Sequence, residues 1–465
     1  MNYFSKIDQF KDNIAIVTET ENLTYSSLID FSKKITAKTK ERSVVMIVCS
    51  NDLEVIAAYV GFIRLNCVVI LIDSNLLDNS FEKLIKEYRP NYIFKEKKKN
   101  IIKINYNQLS SFGNFELLEN RENTDYSVND KLALLVATSG STGSAKFVRI
   151  SYENVDKNLY QIIDSLNISS KDRSITTMPL NYIYGLSVVN SHLCTGASII
   201  LNNYSLVDKK FWELFNNKKA SNFSGVPFMY EILDKIDFKS KIGKNLKYIT
   251  QAGGKLSINL TKKFYEMSLE KNINFITMYG QTEATSRMSY LPWDSLENKM
   301  GSIGKPVKDG KFSIIDNNGT IINDAHKVGE LVYEGKNVSL GYAMNYLDLE
   351  KGDRNKGKLF TGDLAEKDKD EFYFITGRLK RISKIFGIRI NLDEVEMLIK
   401  NIGFESACTG NDTKLKIFFE KGFNKSELTD RISKLIGIHK SGIYLEKISK
   451  IPRNQTGKIL YKELN

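Results

Sequence analysis

Over residues 13–130, short apolar runs alternate with segments of helical periodicity. This alternation restricts the chain to a narrow group of folds. Ile14-Ala15-Ile16-Val17, Val44–Cys49, Val68–Ile72 and Tyr92-Ile93-Phe94 have the length and β-branched content of buried strands. Between them, a helix opens at the hydroxyl-rich Thr24–Leu28, and others are predicted over Asp52–Leu65 and Phe81–Tyr88. Lys95–Asn100 is a charge run, expected as a solvated turn. The pattern resumes with a strand at Leu132–Ala137, a helix over Tyr152–Leu166, and strands at 174–179, 198–201, 222–226, 248–251 and 276–279. Strand–helix alternation of this kind predicts parallel sheets covered by helices.

From Gly301 to Gly377 the texture changes to short β-type runs separated by Asp/Asn/Gly turns, which predicts a small, mainly antiparallel subdomain. Beyond Gly377 comes a short α+β stretch, with helices near 392–402 and 425–436 and a strand near 415–419. The expected class is α/β: a large N-terminal domain of parallel sheets with helices, a small antiparallel β subdomain within it, and a small α+β C-terminal domain.

At 465 residues the chain is long enough for two or three domains. The net charge of +12 is spread without an arginine-rich, aromatic-interleaved patch, so no nucleic-acid partner is expected. The four cysteines lack metal-ligand spacing and sit among apolar or small residues, as reduced thiols of a cytoplasmic protein would. No signal peptide is read at the N-terminus, and no apolar run approaches the ~18 residues of a membrane span. The oligomeric state is not legible.

The chemistry concentrates first in Thr138-Ser139-Gly140-Ser141-Thr142-Gly143-Ser144-Ala145-Lys146, directly after the strand at 132–137. Glycines free the backbone to turn tightly, and N–H groups, hydroxyls and one ammonium together suit a polyphosphate. It is not a Walker A loop: Gly143 follows Gly140 by three, and Phe147 follows Lys146. Taken alone, such a loop is most often a plain surface turn.

Four further motifs follow in order: Tyr279-Gly280-Gln281-Thr282-Glu283, Thr361-Gly362-Asp363, Gly377-Arg378, and Pro452-Arg453 through Gly457-Lys458. Together with the loop they resemble, over essentially the whole chain, the adenylate-forming superfamily. That group holds acyl- and aryl-CoA ligases, nonribosomal peptide adenylation domains and firefly luciferase. The resemblance implies a domain 1–379 and a small mobile domain 380–465 hinged at Lys380. It implies that ATP and a small-molecule carboxylic acid, with Mg²⁺, give acyl-AMP and pyrophosphate. The acyl group then passes to a thiol of CoA or a carrier protein. The alternatives are an amine acceptor, giving an amide, or a nucleotide-binding module without catalysis.

Roles carry over with the motifs. Residues 138–146 would hold the β- and γ-phosphates. Thr282 would bond the α-phosphate and Glu283 would ligate Mg²⁺, sound chemistry for a hard cation. Ala252-Gly253-Gly254 would lie against adenine, with Tyr279 and Gly280 on the other side. Asp363, with Arg378 beside it, would accept from the ribose hydroxyls. Lys458 would be the catalytic lysine. The acid pocket would be lined by Tyr182, Asn222, Ser224, Val226 and Pro227. Amino-acid-activating members commonly carry an aromatic-Asp pair at the pocket entrance, and this chain has Tyr182-Ile183. A buried ammonium would lack its partner, which disfavours α-amino acids. Arg287 is expected to be solvated, with pairing to a second carboxylate as the alternative.

Overall fold

The computed structural model describes residues 3–76, 78–98, 105–122, 126–138, 146–386, 388–411, 413–454 and 457–464. These form two compact units, one of Met1–Lys311 with Glu334–Leu359, the other of Phe312–Tyr333 with Phe360–Asn465.

The first unit holds two large sheets. One runs Tyr342–Ala343, Phe147–Ser151, Leu132–Ala137, Val68–Asp73, Val44–Cys49, Tyr92–Glu96, Phe115–Asn120, Tyr106–Phe112. Its four central strands are parallel and its flanks antiparallel. The central strands are apolar on both faces because both faces are covered, as the continuous Val/Ile/Leu runs require. The other sheet has a parallel run from Asn274–Tyr279 through Tyr248–Gln251, Asn222–Gly225, Arg173–Ile175 and Ser198–Ile200 to Ile14–Val17. The parallel strands and the helices Tyr25–Thr36, Leu53–Arg64 and Tyr152–Leu166 fall where the alternation places them. Thr24 caps the first of these, accepting from the Ser27 amide, and Ser151 with Asn154 forms a reciprocal capping box on the third.

Two expectations are corrected. Lys95 is not in a solvated turn: it lies in the strand Tyr92–Glu96, is 3% exposed, and its Nζ is 2.6 Å from Glu116 Oε1. The physical cause is the hairpin Tyr106–Phe112/Phe115–Asn120, unread in the sequence, which adds to that sheet edge and sets Glu116 opposite Lys95. The strand expected over 174–179 is confined to Arg173–Ile175, and Tyr182 then becomes the N-cap of a helix, Ile183–Cys194. All four cysteines are free thiols; Cys49, Cys67 and Cys408 are buried.

The second unit contains a four-stranded sheet in the order Lys311–Ile315, Gly329–Glu334, Lys358–Lys367, Tyr373–Arg378. After it come the hairpin Ile382–Ile385/Ile388–Asn391 and a three-stranded sheet of Ser406–Gly410, Leu415–Phe419 and Ile443–Lys447. Helices Leu392–Asn401 and Lys425–Ile436 share a core with that sheet, including Val395, Ile399, Ile417, Leu428 and Ile432.

Candidate active site

In the first unit, strands Leu132–Ala137 and Phe147–Ser151 pair antiparallel with Ala137 opposite Phe147, which fixes both ends of the Ser/Thr/Gly loop. Thr138 and Lys146 are described; Ser139, Gly140, Ser141, Thr142 and Gly143 lie outside the described residues. Lys146 Nζ sits 3.6 Å from the ring centroid of Tyr342, a cation–π contact. The Tyr342 hydroxyl donates to Glu283 Oε1 at 2.8 Å. Burial, and then the neighbouring Glu283 carboxylate, push the Tyr342 phenol well above its ordinary range, so it stays a donor. Tyr342 thus brings Lys146 and Glu283, 137 positions apart in sequence, to one side chain, the ammonium over its ring and the carboxylate at its hydroxyl. No motif flagged Tyr342. The one local signal is Arg149, a charge inside an apolar strand. Its fully buried guanidinium donates to the carbonyls of Leu340, Tyr342, Lys351 and Gly352, pinning the segment that presents Tyr342.

Thr282 and Glu283 occupy a short 3-10 turn, Thr282–Ala284, after the strand Asn274–Tyr279. Thr285 and Ser286 have φ of 59° and 122°, values that L-residues hold only when the surroundings fix them. Here they are fixed by Asn337, whose side chain donates to the carbonyls of Ala284 and Arg287, both at 2.9 Å. The Ser339 amide also donates to the Glu283 carbonyl at 2.8 Å. Gly280 is required by contact: a Cβ there would stand 1.5 Å from the Ser286 carbonyl oxygen. Gly280→Ala is therefore expected to force the turn open, costing about 1–3 kcal/mol or more. Thermal melts together with pyrophosphate-exchange assays check this; an unchanged midpoint with full activity would show that the close approach is dispensable.

The Ala252-Gly253-Gly254 segment follows the strand Tyr248–Gln251, and Gln251 Nε2 closes it by donating to the Gly254 carbonyl at 2.8 Å. Gly253 has φ +86°, and a Cβ on it would meet the Tyr182 hydroxyl at 2.6 Å and Val226 Cγ1 at 3.1 Å; one on Gly254 would meet Pro227 Cγ at 3.2 Å. The structure thus brings Tyr182, Val226 and Pro227 against the two glycines. Burial raises the Tyr182 phenol to about 12, keeping it neutral.

Beneath them a narrow cavity is lined by Tyr184, Ser224, Tyr248, Thr250, Met278 and Arg287, among others. Of the expected pocket residues, Ser224 lines it. Asn222 is fully buried and its Nδ2 donates to His192 Nε2 at 3.0 Å. Arg287 is corrected from solvated to buried, at 2% exposure, because Asn158 and Asn337 hold its backbone where the side chain lines this cavity.

In the second unit, Asp363 is 2% exposed and lies opposite Arg378 in the sheet, with Arg378 Nε 2.8 Å from Asp363 Oδ1. Thr361 Oγ1 accepts from the Asp363 amide at 3.1 Å. Lys458 sits on a closed turn: its amide donates to Asn454 Oδ1 and its carbonyl accepts from the Asn454 amide, both at 2.9 Å. Lys380 is exposed in the 3-10 turn Leu379–Arg381.

Among the described residues no cluster of three or more His, Cys, Asp or Glu side chains forms a metal cage, and no helix is long and apolar enough to cross a membrane. A lone carboxylate at Glu283 fits a Mg²⁺ ion that takes its other oxygen ligands from phosphates and water.

Residues 4–343 match the family model described as AMP-binding enzyme. The chain is 26% identical over 341 residues to the oxalate–CoA ligase of Saccharomyces cerevisiae, covering 70% of this chain and 62% of that protein, so less than two thirds of that relative is spanned. It is 24% identical over 486 residues to the 2-succinylbenzoate–CoA ligase of Bacillus subtilis, covering 97% and 95%. In structure it resembles the o-succinylbenzoate CoA synthetase of Bacillus subtilis, solved with its acyl-adenylate intermediate (TM-score 0.80, 21% identity, 100% and 97% of the chains covered). The same enzyme, solved with ATP and magnesium ion, superposes with TM-score 0.79 at 21% identity over 100% and 99% of the chains. At that identity the structural likeness speaks to the fold.

Proposed function

This chain belongs to the AMP-binding enzyme family, and from that premise we propose that it activates a carboxylic acid with ATP. The products are an acyl-AMP and pyrophosphate, and the acyl group passes to a thiol of CoA or of a carrier protein. The observation that carries this is the Lys146–Tyr342–Glu283 arrangement. It sets an ammonium over the ring and a carboxylate at the hydroxyl of one tyrosine, and Lys146 closes the hydroxyl- and glycine-rich stretch in sequence. A polyphosphate with its cation needs that pairing of charges.

Glu283 holds the cation, and Lys146 with loop residues 138–143 holds the β- and γ-phosphates. Bound Mg²⁺ neutralises phosphate charge. Thr282 donates to the α-phosphate, Gly253 and Gly254 leave room for the adenine, and Asp363 accepts from the ribose. Lys458 donates to the oxygens at which negative charge gathers during adenylation. Residues 380–465 swing about Lys380 between the two half-reactions. Arg381 supports a hinge ending at residue 380. Its guanidinium meets Asp393 at 2.8 Å, Glu396 at 2.6 Å and the Cys408 carbonyl at 2.6 Å, all downstream.

ATP–pyrophosphate exchange across an acid library, then acyl transfer with and without CoA, tests the proposal. Proteinogenic α-amino acids are expected to be poor substrates, because Tyr182-Ile183 supplies no carboxylate for an ammonium and the cavity walls include none. One of the twenty outperforming every other acid would refute that expectation.

A further inference from the structure

We infer that the acid activated by this protein carries a second carboxylate, held by the guanidinium of Arg287. The inference rests on the adenylation reading above and narrows its substrate class.

Arg287 is buried within the first unit, yet among the described residues no carboxylate lies within ion-pair distance of it and Nη1 has no hydrogen-bond partner. Its contact is with the Tyr184 ring, 5.4 Å from the guanidinium to the centroid. A buried charge without a counter-ion costs several kcal/mol. Burial lowers the Arg287 pKa to about 10, still above neutrality, so the charge is present at pH 7. The side chain is not there by slack packing. The Arg287 amide donates to Asn158 Oδ1 at 3.1 Å, and its carbonyl accepts from Asn158 Nδ2 at 2.8 Å and Asn337 Nδ2 at 2.9 Å.

The remaining polar groups of the cavity are mostly satisfied by one another. Tyr184 and Ser224 both meet the Thr250 hydroxyl, at 2.7 and 2.9 Å. His192 is neutral: its Nδ1 donates to the Val188 carbonyl at 2.9 Å, its Nε2 accepts from Asn222, and burial holds its pKa down to about 4. The Tyr248 hydroxyl is, like Arg287 Nη1, buried without a partner. Two unspent donors, one of them cationic, in walls that hold no carboxylate call for an anion that only accepts. The reacting carboxylate is a poor candidate for that place. It must attack phosphorus and lose its charge, so tight pairing with a buried guanidinium would stabilise the ground state against the transition state. A second carboxylate on the same acid has no such conflict.

The test compares the linear diacids from oxalate to glutarate, and phthalate, each with its own monomethyl ester. Readouts are pyrophosphate exchange and, without nucleotide, calorimetric binding. At least one diacid is expected to exceed its ester by roughly 100-fold or more in kcat/KM, since a site built for a polar group strongly rejects an analogue lacking it. Arg287→Met should erase that preference without lowering the thermal midpoint of the free protein, because it removes an uncompensated buried charge. Arg287→Lys should retain part of the preference. Esters equal to their diacids, a preference that survives Arg287→Met, or an equal loss of ATP binding in that variant would each overturn the inference. If no acid drives exchange, the adenylation reading fails. Diacid binding that disappears in Arg287→Met would still uphold the carboxylate site, and its absence from the wild type would overturn that too.

Discussion

Lys458→Ala is expected to slow acyl-AMP formation by roughly a hundredfold or more, about 2.7 kcal/mol at ~1.36 kcal/mol per decade, while transfer from pre-made acyl-AMP stays nearly intact. Charge grows between the acid oxygen and the α-phosphate only in the first half-reaction. An ammonium there stabilises the transition state more than the ground state. The second half-reaction makes no such demand. The fold should survive, because Lys458 is tied to Asn454 through its own amide and carbonyl, which the substitution keeps, beside Gly457 at φ +77°. Lys380→Pro is expected to do the converse. Fixing φ and removing an N–H at the hinge hinders the swing, so transfer falls while adenylation remains. Separate assays of the two half-reactions on both variants decide the matter. Equal loss of both steps in Lys458→Ala would rule out the alternating arrangement.

Glu283→Ala is expected to remove most adenylation, by about two decades or ~2.7 kcal/mol, in a protein that still folds. Its carboxylate is part-exposed and accepts from the Tyr342 hydroxyl. The turn around it is held instead through main-chain groups, by Asn337 and Ser339. Tyr342→Phe supplies the contrast. It keeps a ring beneath Lys146 but deletes a hydrogen bond to a charged group, worth about 1.5–3 kcal/mol. The carboxylate is then less well oriented, so the Mg²⁺ concentration for half-maximal exchange should rise while the maximal rate changes less. Magnesium titrations of wild type and both variants check this. Near-normal acyl-AMP formation by folded Glu283→Ala would remove Glu283 from the metal role.

The sequence by itself determined the strand–helix alternation, the parallel central strands, the hydroxyl-capped helix start at Thr24, and the order of the five motifs. Each of these is local: a side-chain period, a hydroxyl before a helix, or a glycine in a turn acts within a few residues. Only the tertiary structure decided where charge is buried. Lys95 reads as part of a solvated charge run until a hairpin some 20 residues downstream places Glu116 across from it. Arg287 reads as a surface residue until Asn158 and Asn337, brought from distant segments, clamp its backbone against the cavity. Tyr342 carries no motif, yet it joins Lys146 to Glu283 because Arg149 pins the segment that holds it. Desolvation and ion pairing depend on which groups meet in space, and a one-dimensional pattern does not encode such meetings between segments far apart in the chain.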